Sequence, residues 1–343
     1  MGKTVIFAVA GSGKTTRIVE ELGKGQRCLV FTYTEENVLN LRRKIVQRYG
    51  GLPAGVRVMT YFGFLHSFCF RPAAGLRTRA RGISFADAPP AGRYNASQES
   101  YFMDRGGRLY HERLAKLLID RGLAEDARAR IDRFFDLVCV DEVQDFAGHD
   151  FNFLMGLSGI RADMLLVGDF HQHTYDTSRD GSVNKNLHAG FSGYAKRFRD
   201  AGIEVDTSSM AHSRRCSAAV CSFISDRLGI PIGTLSERAA SVRDVTSQDD
   251  ADALWRRPDV VKLFYQSHSK FGCASQNWGA SKGEDHYDEV CVVLNPKTLA
   301  LHAKGQLSTL PSGTLNKLYV ALSRSRGDVH LVPQKLLERY KSG

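Results

Sequence analysis

The sequence predicts an α/β fold built on parallel sheets. Two apolar strands that end in chemically distinctive residues, and a repeating strand–helix rhythm, are the observations that predict it. The first strand, Thr4 to about Ala8, breaks into Val9-Ala10-Gly11-Ser12-Gly13-Lys14-Thr15-Thr16. β-Branched and apolar residues suit a strand covered on both faces; the glycines let backbone N–H groups turn inward, and the following helix points its positive end at the loop. The second strand, Phe134 to Val140, delivers Asp141-Glu142-Val143-Gln144-Asp145 to a sheet edge. Short apolar runs and segments of helical spacing alternate along 343 residues, enough for two domains with their own cores.

Loop chemistry follows from these residue types. The pattern is G-x-x-x-x-G-K-[ST] with Ala8 in place of the first glycine. Ala10, Gly11, Ser12, Gly13 and Thr16 would surround bound phosphates, Lys14 would reach the β- and γ-phosphates, and the Thr15 hydroxyl would ligate Mg²⁺. Asp141 would hold the same Mg²⁺ through its water shell, and Glu142 would orient or deprotonate an attacking water. A glycine-rich turn with a chance lysine, or acidic residues serving only as a turn or cap, would share the composition without the paired context.

The balance of 47 Lys and Arg against 37 Asp and Glu leaves +10, which favours a polyanionic partner such as nucleic acid. No apolar run approaches the roughly 18 residues of a membrane helix, so a soluble chain without a membrane partner is expected. The short run after Lys3 imitates a signal peptide, but cleavage near Ala10 would destroy the loop. Seven cysteines without a C-x-x-C pair read as buried thiols rather than disulfides or a zinc site, which fits a reducing intracellular compartment.

Along the chain, the helix after the loop ends at Gly23 to Gly25 and a strand runs from Arg27 to Thr32. Tyr33, between two threonines at the strand exit, is placed to stack on a base or to sit half-buried. Glu35 to Tyr49 has helical spacing, and Arg57 to Thr60 reads as a third strand. It opens into Tyr61 to Phe68, whose aromatics serve either a core or a base-stacking platform. From about 70 to 125 the composition turns basic, with Arg71, Arg77, Arg79, Arg81 and Arg93. This insert would track a phosphate backbone or form an exposed loop. Met164 to Val167 is a further strand, ending in Gly168-Asp169-Phe170-His171-Gln172-His173-Thr174-Tyr175, where Gln172 can donate to a γ-phosphate oxygen and Tyr175 can face a second site.

This order of signals resembles the UvrD-like branch of superfamily 1 helicases, whose motors have two RecA-like P-loop domains with ATP in the cleft between them. Ala8 to Thr15 is similar to motif I, Thr32-Tyr33-Thr34 to motif Ia, Thr60 to Phe68 to the DNA-contact motif that follows it, Val140 to Asp145 to motif II, and Gly168 to Tyr175 to motif III. Ser213-Arg214-Arg215-Cys216 is similar to motif IV, Gly279 to Glu284 to motif V, and Leu318 to Arg324 to motif VI. The resemblance implies that Arg215 and Arg324 touch the γ-phosphate, that Glu284 lies at the nucleotide, and that Tyr33, Thr60, Phe62, Phe64, Tyr175 and Lys282 contact the strand. Arg214 stands where relatives carry an adenine-stacking tyrosine, and Gly283-Glu284-Asp285 stands where they carry Gly-Leu-Glu.

The expected domains are residues 1–200, carrying motifs I to III with the small basic insert, and 201–343, carrying motifs IV to VI without the family's large inserted subdomain. The resemblance implies an Mg²⁺-dependent, ATP-hydrolysing translocase or helicase on single-stranded nucleic acid. DNA is the expected track, the movement 3′ to 5′, the compartment the cytoplasm of a bacterium or a phage-infected host, and a replication or repair protein a further partner; the compact size is compatible with a phage or mobile-element origin. The alternatives are a nucleic-acid-stimulated ATPase switch or loading subunit that does not unwind by itself, and a non-enzymatic nucleic-acid-binding module.

Overall fold

The computed structural model describes residues 2–22, 25–74, 78–90, 92–174, 182–284 and 286–342. The chain divides into two compact units: Met1–Ile6, Lys14–Gly168 and Tyr175–Asp206 form the first, and Phe7–Gly13, Asp169–Thr174 and Thr207–Gly343 form the second. Both are α/β with parallel sheets.

Strands of the first unit are β1 (Lys3–Phe7), β2 (Cys28–Thr32), β3 (Val56–Thr60), a small pair β4 (Gly82–Ser84) and β5 (Arg108–Tyr110), β6 (Leu137–Val140), β7 (Asp163–Gly168) and β8 (Glu204–Asp206). Six of them form one sheet in the order β3-β2-β6-β7-β1-β8, and the β3/β2, β2/β6, β6/β7 and β1/β8 ladders are parallel. Every residue of β2 and β6 is buried, as continuous apolar runs require when both sheet faces are covered.

The Glu35–Tyr49 helix shows its stop and start signals: Thr34 accepts from the Asn37 N–H, Glu35 and Glu36 occupy the first turn, and Gly50 at φ +73° closes it. Thr60 caps the next turn by accepting from the Gly63 N–H, and Phe64–Phe70 continues as a π-helical segment. Its aromatics point into the core. Phe64 stacks on Phe31 with ring centroids 4.6 Å apart, and both rings are fully buried.

In the basic insert, Arg79 pairs with Glu99 at the surface, while buried Arg113 donates to the Tyr101 and Pro89 carbonyls and fastens the segment internally. Arg77 lies outside the described residues.

The second unit carries β9 (His212–Ser213), β10 (Gly233–Thr234), β11 (Val242–Asp244), β12 (Val261–Phe264), β13 (Ser275–Asn277), β14 (Val290–Leu294) and β15 (Val329–Pro333). Its main sheet runs β11-β15-β14-β12-β13, all parallel. Period-two alternation sorts β14 between two cores: Val290, Val292 and Leu294 join a cluster with Trp278, Leu318 and Tyr319, whereas Cys291 and Val293 join one with Phe264 and Phe271. Among the described residues no helix is long and apolar enough to cross a membrane.

The burial of Phe64 makes it a stability residue. Phe64→Ala should cost about 3–5 kcal/mol of unfolding free energy in a denaturant titration, and Phe85→Ala, at an exposed ring, less than about 0.5 kcal/mol. A loss below about 1 kcal/mol at Phe64 would contradict its placement.

Candidate nucleotide-phosphate site

In the first unit the strands β6, β7 and β1 are neighbours, so their carboxyl ends, where ligands collect in open parallel sheets, are adjacent. Lys14 opens the Lys14–Leu22 helix and is buried. Thr15 Oγ1 donates to Asp141 Oδ2 at 3.0 Å, joining two residues 126 apart in sequence. The other Asp141 oxygen accepts the Glu142 N–H at 2.9 Å. Burial pushes the Asp141 carboxyl above the ordinary range and the charge of Glu142 pushes the same way, against Lys14 and the Thr15 hydroxyl.

Thr15 and Asp141 thus present two hard oxygens side by side. That donor set fits Mg²⁺, which takes one or two protein oxygens and completes its octahedron with water and phosphate. Among the described residues, no group of three or more His, Cys, Asp or Glu side chains could hold a metal ion.

Glu142 is held by its surroundings. It is non-glycine at φ +57°, a left-handed conformation that costs free energy and persists only when neighbours enforce it. The buried Gln144 amide donates to Glu142 Oε2. Gly168, the last residue of β7, leaves room for that amide: a Cβ there would lie 2.4 Å from Gln144 Oε1 and 2.7 Å from Val143 Cγ1.

The second unit includes the first half of the phosphate loop. Val9 donates to the Met210 carbonyl and the Arg214 N–H donates to the Gly11 carbonyl at 2.9 Å. Gly11 has two independent reasons to be glycine: φ is +70°, and a Cβ would lie 2.7 Å from the Arg215 Cβ. Ser12 Oγ closes the turn on the Val9 carbonyl, Gly13 has φ +99°, and Thr16 lies exposed on the following helix. The Ala10 N–H donates to the Tyr319 hydroxyl at 2.8 Å, which anchors the loop.

Arg215 and Arg324 come together in this unit through one turn of chain. Arg215 Nη1 donates to the Ser323 carbonyl at 3.1 Å; buried Arg324 donates through Nε to the Val320 carbonyl and through Nη1 to the Glu284 carbonyl. Glu284 uses its carboxylate on His286. Gln172 is buried, with Nε2 donating to Asp169 Oδ2 at 2.8 Å.

The strand-contact expectations fare unevenly. Tyr33 is half-buried, its ring 5.1 Å from that of Phe62 and 5.9 Å from that of Phe146, and it retains exposed surface. Phe62 and Phe64 are corrections: one is buried among Tyr33, Tyr61, Phe85 and His111, the other in the sheet core, so neither offers a face to a base. The Thr60 hydroxyl serves as a helix cap, Lys282 is half-buried in the second unit, and Tyr175 lies outside the described residues.

Sequence reasoning assigned no role to Gln144, Gly168, Asp169 or Tyr319. The available signals were a glutamine two residues beyond Glu142, a glycine closing an apolar strand, an Asp-x-x-Gln spacing, and a tyrosine inside an apolar helix.

No protein-family model matches the chain, and no curated protein matches it. Among solved structures it is similar to arterivirus nonstructural protein 10 (helicase) in complex with DNA, at 14% identity and a TM-score of 0.52, covering 98% of this chain and 62% of that one. A crystal structure of arterivirus nonstructural protein 10 (helicase) gives 15% identity, a TM-score of 0.51 and the same coverage. The chain therefore spans 62% of the length of those two proteins. Its fold is the two-domain, RecA-like α/β architecture of these neighbours.

The Asp141 environment has a measurable consequence. Its folded-state pKa lies above the ordinary 3.8, so its ionisation opposes folding as pH rises past 3.8 and contributes nothing below that value. In protein free of metal and nucleotide, Asp141→Asn should raise Tm by about 2–5 °C at pH 7.5, with the gain fading toward about pH 4. An unchanged or lower Tm at the higher pH would contradict the assignment.

Proposed function

We propose that the chain is a nucleoside-triphosphatase motor of the superfamily 1 helicase type, in its UvrD-like branch, that hydrolyses ATP with Mg²⁺ and moves along single-stranded nucleic acid. DNA is the proposed track and 3′ to 5′ the proposed direction. The observation that carries this reading is the contact at 3.0 Å between half-buried Thr15 and buried Asp141 beside Lys14, the arrangement a phosphate-bound divalent cation needs. Support comes from the fold likeness to a viral protein described as a helicase and solved with DNA, and from the net charge of +10.

Each residue has a role in an in-line displacement. Lys14 neutralises the β- and γ-phosphates, and Thr15 and Asp141 would hold Mg²⁺, which when bound supplies further charge neutralisation to the same oxygens. A water attacks the γ-phosphorus, the bond to the ADP oxygen breaks, and Glu142, aimed by Gln144, takes the proton of the water. Gln172 donates to a γ-phosphate oxygen, while Arg215 and Arg324 supply positive charge to the transferring phosphoryl group. Tyr33 and Lys282 are the proposed strand contacts. A second reading, an ATPase switch or loading subunit, is favoured by the short stretch from Arg215 to Lys282, which holds β10 to β13 and the helical segments Ala218–Phe223, Ile224–Leu228 and Gln248–Trp255.

Steady-state turnover of the purified chain without polymer and with single-stranded DNA, single-stranded RNA or duplex DNA tests the reading. One single-stranded polymer should stimulate turnover about tenfold or more, and Lys14→Ala should abolish it. Glu142→Gln should lower kcat by about 10²-fold or more while Mg·ATP still binds. Turnover that is absent, or indifferent to every polymer, would refute the proposal.

A further inference from the structure

The Ser312–Leu322 helix lies against the short turn Phe170–Gln172 within the second unit. Two of its residues, spaced to share one face, hold that turn: Asn316 Nδ2 donates to the His173 carbonyl at 2.9 Å, and the Tyr319 ring meets His171 edge-on at 5.9 Å. Tyr319 is fully buried, and its hydroxyl sits at a junction. It accepts the Ala10 N–H at 2.8 Å and donates to Asp169 Oδ2 at 2.9 Å. The same Asp169 oxygen accepts from Gln172 Nε2 at 2.8 Å.

Donor chemistry fixes the polarity of this series. A backbone N–H can only donate, so the single proton of the phenol is left for the carboxylate; an ionised carboxylate can only accept, so Gln172 must present its NH₂ and not its oxygen. Burial holds the Tyr319 phenol well above its ordinary range, which keeps that proton in place. The amide of Gln172 is therefore prevented from flipping, and its second N–H and its Oε1 are oriented for other partners.

Asp169 divides its work. Oδ1 accepts the His171 N–H at 3.1 Å and caps the turn; Oδ2 accepts from Gln172 within the turn and from Tyr319, 150 residues away in sequence.

We infer that Tyr319 is a positioning residue that ties the phosphate-loop backbone at Ala10 to the Gln172 amide through Asp169. The inference rests on the triphosphatase reading above. Displacement of the loop backbone by bound nucleotide is transmitted to Gln172 through two hydrogen bonds to one carboxylate oxygen, so loop occupancy and Gln172 orientation change together.

The test combines single and double variants with a readout that needs no turnover. Tyr319→Phe keeps the ring and removes the junction, so kcat should fall about tenfold while KM for ATP changes less than about threefold. In a Gln172→Ala background the same substitution should change kcat less than about twofold, because its route is gone. Asp169→Asn, which replaces the accepting oxygen or its partner, should behave in the same way and serves if Tyr319→Phe does not fold. An equal kcat loss in both backgrounds, or none in either, would overturn the inference.

Amide exchange at Ala10 in nucleotide-free protein separates the two proposals. It should be slow in the wild type and at least about tenfold faster in Tyr319→Phe. If the wild type does not turn over ATP, the triphosphatase reading fails while faster Ala10 exchange in the variant still supports the tie; unchanged exchange overturns the tie whatever the turnover.

Discussion

A carboxylate with almost no exposure, bonded to a threonine hydroxyl and within the electrostatic reach of a buried lysine, is the constraint from which the first unit can be understood. To deliver Asp141 to that position the preceding strand must be buried on both faces, and Leu137-Val138-Cys139-Val140 is. The chain must then turn at once, and Glu142 does so in a left-handed conformation. Gln144 holds the Glu142 carboxylate, and Gly168 on the neighbouring strand leaves space for Gln144. Each step in this sequence is a consequence of placing charge where water is scarce, because ionised groups in such a place need partners in fixed positions.

The second unit applies the same economy to the other half of the phosphate loop. Backbone bonds from Val9 and to Gly11, the close passage of Gly11 against Arg215, and the Ala10 bond to Tyr319 define the path of the loop before Lys14 begins its helix. Arg215 and Arg324 each donate to main-chain carbonyls, which fixes the planes of their guanidinium groups.

The placement of the phosphate loop and of Asp141 after buried strands was legible in the sequence because it is local: an apolar strand, then glycines and Lys14-Thr15, or an apolar strand, then Asp141-Glu142. The Glu35–Tyr49 helix and the Val290–Leu294 strand were legible for the same reason, with periodicity and caps inside one short window. Phe62 and Phe64 were not, since an aromatic run reads alike as core or platform; only the three-dimensional meeting of Phe64 with Phe31 decides between them. Tyr319 and Asp169 escaped because their bond spans 150 residues, and Gly168 because its reason is the space needed by Gln144 on another segment. Arg113 shows the converse: in a basic insert whose composition reads as either a phosphate track or an exposed loop, it is buried and donates to two carbonyls.

The central claim is that ATP hydrolysis drives movement along a single strand, and displacement of streptavidin from oligonucleotides biotinylated at one end measures that movement directly. With ATP, Mg²⁺ and single-stranded DNA, the account predicts rapid displacement from the 5′ end, slow displacement from the 3′ end, and none with Lys14→Ala. Polymer-stimulated hydrolysis that displaces streptavidin from neither end of DNA or RNA would contradict a motor and leave an ATP-dependent switch in its place.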